Sequence, residues 1–233
     1  MINNHNIENI VYVHPKTNEE LREIIKKRLD KGETYFNDID VSEIHDFSEL
    51  FWGLKIGEID ISEWNVSQGE LFMRMFYGCE DFNCDLSNWK LDNCSNCFEM
   101  FFNCKSLTST PQLTNMNLME CIMFNGHYRG CYESMFKNCT SIAKTPKLSA
   151  IKLTESCYSK MFYNCSSLKN PPELPSTYLR ENCYSGMFYG CSSLETAPEL
   201  PATIMVRYCY LSMFYGCESL ISAPVLPAKK LDT

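Results

Sequence analysis

The sequence predicts an α/β solenoid: about seven stacked coils of 25–26 residues, each with one short strand and one short helix, sealed at the start by a helix. Three observations carry this reading. A Met-Phe-Cys segment recurs, a Leu-Pro-Leu segment follows it in the later copies, and an amphipathic stretch precedes the first copy.

Five strong copies align at CFEMFFNCKSL from Cys97, CYESMFKNCTSI from Cys131, CYSKMFYNCSSL from Cys157, CYSGMFYGCSSL from Cys183 and CYLSMFYGCESL from Cys209, with weaker relatives from Asp46 and Leu71. The anchors Leu50, Met75, Met100, Met135, Met161, Met187 and Met213 are spaced 25, 25, 35, 26, 26 and 26 residues apart. A fixed period in this range marks stacked supersecondary units. In CYSGMFYGC the apolar residues Tyr184, Met187, Phe188 and Cys191 recur at three and four, which predicts a helical turn.

The second half of each later coil reads LTSTPQL from Leu107, IAKTPKL from Ile142, LKNPPELP from Leu168, LETAPELP from Leu194 and LISAPVLP from Leu220. Strand side chains alternate, so the first residue, the Pro four residues on and the Leu six residues on share the inward face. The proline limits each strand to a few residues.

Before the repeats, KTNEELREIIKKRLDKG supplies a cap at Thr17, Glu20 three residues later and Gly32 at the end, predicting a helix over 18–31 that covers the first coil. The expected division is a segment at 1–40 holding this helix and a solenoid over 41–233, with a loop insertion near 121–130 that accounts for the 35-residue spacing.

At these residues the sequence resembles the BspA-like leucine-rich repeats, including the variants found in mycoplasmal lipoproteins and in bacterial surface and phage-encoded proteins. IDISEWNVSQGELFMRMFYGC and CDLSNWKLDNCSNCFEMFFNC resemble the variant built on a Trp turn, with Trp64 and Trp89 spaced 25 apart. The later units are similar to the variant in which an LPxTxL stretch precedes CYxxMFxGCxSL. The resemblance covers about residues 35–228 and implies a leucine-rich-repeat fold, with adhesion or protein binding as the associated roles.

Chemistry is sparse. The histidines His5, His14, His45 and His127 are dispersed, and no nucleophile motif, phosphate loop, dinucleotide fingerprint or zinc-hydrolase motif is present. No catalytic residue, cofactor or metal is expected. Cys94 and Cys97 form a CxxC pair, but Cys97 belongs to a column with Cys131, Cys157, Cys183 and Cys209, so buried packing is the reading. A second column, Cys79, Cys104, Cys139, Cys165, Cys191 and Cys217, suits a small buried residue.

The formal charge is −8, with −10 on residues 1–130 and +2 on 131–233, and no basic face suggests nucleic acid. No stretch is apolar enough to span a membrane, and the first fifteen residues lack the pattern of a secretion signal. A cytoplasmic protein or a virion component is expected.

The expected function is a non-enzymatic protein-binding module whose site is the outward strand face: Glu58, Asp60, Asn83, Asp85, Thr108, Thr110, Gln112, Thr145, Lys147, Lys169, Glu173, Glu195 and Glu199, with His127, Tyr128 and Arg129 of the insertion. Two alternatives are a structural role in a phage or cell-surface particle, and a phage-encoded inhibitor docking on a host protein. Ile221 and Val225 of the last repeat are apolar where earlier coils are mostly polar, which predicts self-association, as a homodimer, through this coil, with Ile221, Val225 and Leu226 in the contact.

Overall fold

A computed structural model describes residues 13–113, 122–124, 127–227 and 230–231. The repeats form a solenoid with one continuous core. Its fixed columns are the Met and Phe of each copy, such as Met75, Phe76, Met187 and Phe188, all fully buried. Phe51, Phe76, Phe101, Phe136, Phe162, Phe188 and Phe214 stack in sequence at centroid distances from 4.9 to 5.9 Å. Trp64 and Trp89 stack at 6.3 Å, and each indole N–H donates to a carbonyl of the preceding coil, Phe36 O at 2.9 Å and Ile61 O at 3.1 Å.

The Met-Phe segments are not helices. Among the described residues the α-helix is confined to α1 (Asn18–Leu29). In the Met-Phe segments every fourth residue has a left-handed backbone: Arg74 and Gly78, Glu99 and Asn103, Ser156, Lys160 and Asn164, and Asn182, Gly186 and Gly190. A right-handed helix cannot accommodate such residues. Backbone N–H groups instead alternate between two destinations. Those of Met75, Tyr77 and Cys79 close turns onto Phe72, Arg74 and Phe76. Those of Phe72, Arg74, Phe76 and Gly78 cross to Asn96, Phe98, Met100 and Phe102 of the next coil at 2.8–2.9 Å. This alternation recurs through the Met-Phe segments and is the principal backbone ladder of the solenoid. A four-residue turn repeat places apolar side chains on one side at three-and-four spacing, as a helix would.

The Leu-Pro-Leu segments keep the expected faces but form little ladder. Leu107, Pro111 and Leu113 are buried while Thr108 and Gln112 are exposed, and the pattern repeats at Leu168, Pro172 and Leu174. Pairing there is sparse: Glu195 N donates to Lys169 O at 3.0 Å, Ile221 N donates to Glu195 O at 3.2 Å, and an isolated parallel bridge joins Lys90 to Gln112, while each proline has no N–H to donate.

Helix α1 forms where the capping residues predict: Thr17 Oγ1 accepts from Glu20 N at 3.2 Å, and Gly32 at φ 75° ends the turn that follows. Leu21 and Ile25 are fully buried beneath it. The first ladder segment has carbonyls with no earlier coil to pair with, and α1 supplies donors. Asn18 Nδ2 donates to Ser48 O at 2.8 Å, and the Arg22 guanidinium donates to the carbonyls of Glu49, Leu50 and Trp52. The helix is thus a cap in hydrogen bonding as well as in apolar contact.

The long repeat leaves the ladder register intact, with Cys97 N donating to Cys131 O at 2.7 Å and Phe101 N to Met135 O at 2.9 Å. The extra residues contain an antiparallel pair, β1 (Ile122–Phe124) with β2 (His127–Arg129). Gly130 then passes so close to the next coil that a Cβ there would lie 2.2 Å from Ser156 O. Further on, β3 (Ile204–Met205) pairs in parallel with β4 (Lys230–Leu231).

Candidate interaction surface

Two surfaces run the length of the ladder. The first is the outward side of the Leu-Pro-Leu segments and their counterparts in earlier coils. Glu58, Asn83, Asp85, Thr108, Gln112, Lys147, Lys169, Glu173, Glu195 and Glu199 are exposed there, and Asp60, Thr110 and Thr145 are half-buried. Several members are held by neighbours. Asp60 accepts from Ser62, Asn83 Oδ1 accepts from Thr108 at 2.8 and 3.0 Å, and Lys169 pairs with Glu195 at 3.5 Å.

The second surface follows the residue after each Met-Phe pair, and the sequence reading passed over it. Trp52, Tyr77, Phe102, Lys137, Tyr163, Tyr189 and Tyr215 form one column. Tyr77 stacks on Phe102 at 4.7 Å, Tyr163 on Tyr189 at 4.4 Å and Tyr189 on Tyr215 at 4.7 Å. Lys137 bridges the two aromatic runs, its ammonium 5.3 Å from the Phe102 centroid and 4.9 Å from that of Tyr163. Partial burial, with Lys160 nearby, lowers the Lys137 pKa. Next to the column an asparagine run is linked side chain to side chain, Asn138 to Asn103 at 2.6 Å and Asn164 to Asn138 at 3.1 Å. Gly190 continues it: its φ is 72°, and a Cβ would meet Asn164 Oδ1 at 2.1 Å. The signal was legible, since an aromatic or Lys precedes Gly or Asn, then Cys, in most copies.

In the insertion, Arg129 is engaged internally. Its guanidinium pairs with Glu133 at 3.1 Å and lies 5.3 Å from the Phe98 centroid, whose ring also contacts Arg74 at 5.6 Å. Burial raises the Glu133 carboxyl while Arg129 opposes the shift. Arg129 therefore anchors the foot of the insertion. The side chains of His127 and Tyr128 lie outside the described residues.

The second cysteine column has a defined role. Each thiol reaches a Phe carbonyl of the preceding coil: Cys104 to Phe76 at 3.1 Å, Cys139 to Phe101 at 3.0 Å, Cys165 to Phe136 at 3.1 Å, and Cys191 to Phe162 at 3.0 Å. Burial pushes Cys165 up to about 12, so the thiol keeps the proton it donates. Among the described residues no group of His, Cys, Asp and Glu is arranged to hold a metal ion, and no helix is long and apolar enough to cross a membrane.

This repeat geometry agrees with the comparison to known families. Residues 20–145, more than half of the chain, match the model described as "Mycoplasma protein of unknown function, DUF285". The chain belongs to the DUF285 family. Its Trp-turn and Met-Phe-Cys units are the ones that resemble the BspA-like leucine-rich repeats. The crystal structure of a leucine-rich repeat protein from Bacteroides ovatus ATCC 8483 is similar over 83% of this chain and 50% of that one, at 22% identity and a TM-score of 0.49. This DUF285 chain thus spans about half the length of that protein. No curated protein matches it.

Proposed function

We propose that this DUF285 solenoid is a non-enzymatic protein-binding scaffold of about seven coils, and that its partner docks along the aromatic column, which is half-buried in the middle and exposed at its two ends. The observation that carries this reading is the run from Trp52 to Tyr215, in which large side chains are held at the surface by one another. Tyr215 is 65% exposed and Trp52 46%. Pre-stacked rings lose little entropy on binding, and aromatic residues dominate the energetics of protein interfaces. The polar face from Glu58 to Glu199, with the insertion, forms the rim.

The test is affinity capture from lysate with three baits: the native chain, a Tyr163→Ala/Tyr189→Ala variant, and a Glu173→Ala/Glu199→Ala variant. A protein held by the native chain and lost only with the aromatic variant supports the reading. Equal capture by the native and aromatic-variant chains, with loss from the acidic variant, would move the site to the polar face.

Self-association is a second proposal, favoured by Ile221 and Val225, which are 82% and 84% exposed, and by the adjacent Leu226. Contact there rests on side chains. Two copies meeting through the same ladder edge would set N–H groups against N–H groups.

A further inference from the structure

The thiols of the second column meet backbone carbonyls, whereas Cys94 stands against another thiol. It lies outside both columns, and its sulfur sits 2.7 Å from that of Cys97, well inside ordinary van der Waals contact between two sulfurs. The Cys131 thiol, on the next coil, is also within hydrogen-bonding reach of Cys94. Cys94, Cys97 and Cys131 are all buried.

One coil earlier, 25 residues back, the places of Cys94 and Cys97 are taken by Gly69 and Phe72. A Cβ at Gly69 would lie 2.3 Å from the Phe72 ring, so one large side chain fills that space and the other position must stay empty. At the next level two small thiols divide the same volume. Packing accounts for small residues there, but it does not require two sulfurs in contact.

We propose that Cys94 and Cys97 are a site of reversible oxidative modification, closing to an intramolecular disulfide when the protein meets a peroxide. One thiolate attacks a peroxide oxygen and becomes a sulfenic acid with release of water. The second sulfur displaces the hydroxyl as another water, so two thiols and one hydrogen peroxide give one disulfide and two waters. Both thiol protons end in water, and the peroxide is the oxidant that is reduced.

The route to the site is local. Asp92 and Asn93 at the preceding corner are exposed. That corner is tied down by Ser95 N and Asn96 N to Glu70 O, at 2.8 and 3.3 Å, and by Asn93 Nδ2 to Ser67 O at 2.8 Å. Opening these few bonds admits a water-sized oxidant without unfolding the solenoid. Burial raises the pKa of all three thiols, so the closed state reacts slowly and the reaction reports on opening.

The test uses the whole reduced chain, exposed to hydrogen peroxide, then denatured, alkylated and digested after Lys and Arg. Cys94, Cys97 and Cys104 fall in one peptide, from Leu91 to Lys105. The expected product is this peptide two hydrogens lighter, alkylated at Cys104 alone and restored by dithiothreitol. It should form about tenfold faster than Cys139, Cys165 or Cys191 lose their thiols. A Cys94→Ala variant, checked for native melting, should not form it. Full alkylation of Cys94 and Cys97 after treatment, or a link from Cys94 to Cys131, would overturn the proposal.

Discussion

The two edges of the described ladder differ in chemistry. At the first, the segment near Ser48 and Leu50 presents carbonyls, and α1 meets them with Asn18 and Arg22. At the other, the N–H groups of Tyr210, Ser212, Phe214 and Gly216 occupy the places from which Tyr184, Gly186, Phe188 and Gly190 donate to the next coil, and they have no acceptor among the described residues. The lesson is that a Met-Phe segment has a donating side and an accepting side, so one kind of cap cannot serve both edges.

The largest effect that would sharpen this contrast is a buried charge under the cap. Ile25→Asp, at a fully buried position, should cost roughly 4 kcal/mol or more. Val225→Asp, at the exposed edge, should leave melting nearly unchanged. Thermal unfolding followed by circular dichroism measures both, and similar losses would erase the distinction.

Next in size is the aromatic stack. Phe162 is enclosed by Phe136 and Phe188, whereas the neighbour of Phe214 in the stack is Phe188. Phe162→Ala should cost about 3–5 kcal/mol, and Phe214→Ala distinctly less in the same denaturant titration.

Arg22→Ala leaves carbonyls of the first segment without their donor and should cost about 2 kcal/mol, with partial recovery in Arg22→Lys. A neutral result would mean that α1 seals the edge by apolar contact alone. The smallest effect on stability is expected from Val225→Lys, which should reduce any association seen by light scattering across a concentration series. A native chain that stays monomeric at tens of micromolar would end the self-association proposal.

The repeat, the capping helix and the inward Leu-Pro-Leu faces were legible because each rests on local chemistry: a period, a Thr-Glu capping pair, and alternation of side chains. The ladder was misplaced because Tyr184, Met187, Phe188 and Cys191 satisfy a helical turn and a four-residue turn repeat equally well. The discriminating sign lay one position away, where Gly78, Asn103, Asn138, Asn164, Gly190 and Gly216 share a column. Glycine and asparagine are the residues that most readily take a left-handed backbone, and all six do so. The aromatic column was overlooked for a related reason: an aromatic residue beside Met-Phe reads as more core. Arg129 was grouped with the insertion's binding residues because the Phe98 ring it covers lies in the preceding coil and meets it only in the folded chain, although its ion-pair partner Glu133 is local.

The alternating hydrogen bonds of the Met-Phe segments also give the molecule an electrical axis. Strand dipoles in an ordinary sheet largely cancel. Here the peptide units that cross between these segments, such as those joining Leu71 to Phe72 and Met75 to Phe76, direct oxygen toward the earlier coil and hydrogen toward the later one. Corner bonds in the opposite sense, such as Ser167 N to Thr140 O, subtract from the sum without cancelling it. The negative pole lies at the end covered by α1, where Arg22 places a cation against it, and the net −10 of residues 1–130 falls in the same half. Among the described residues the α1-covered edge of the ladder is therefore its negative pole and the amide-bearing edge its positive one.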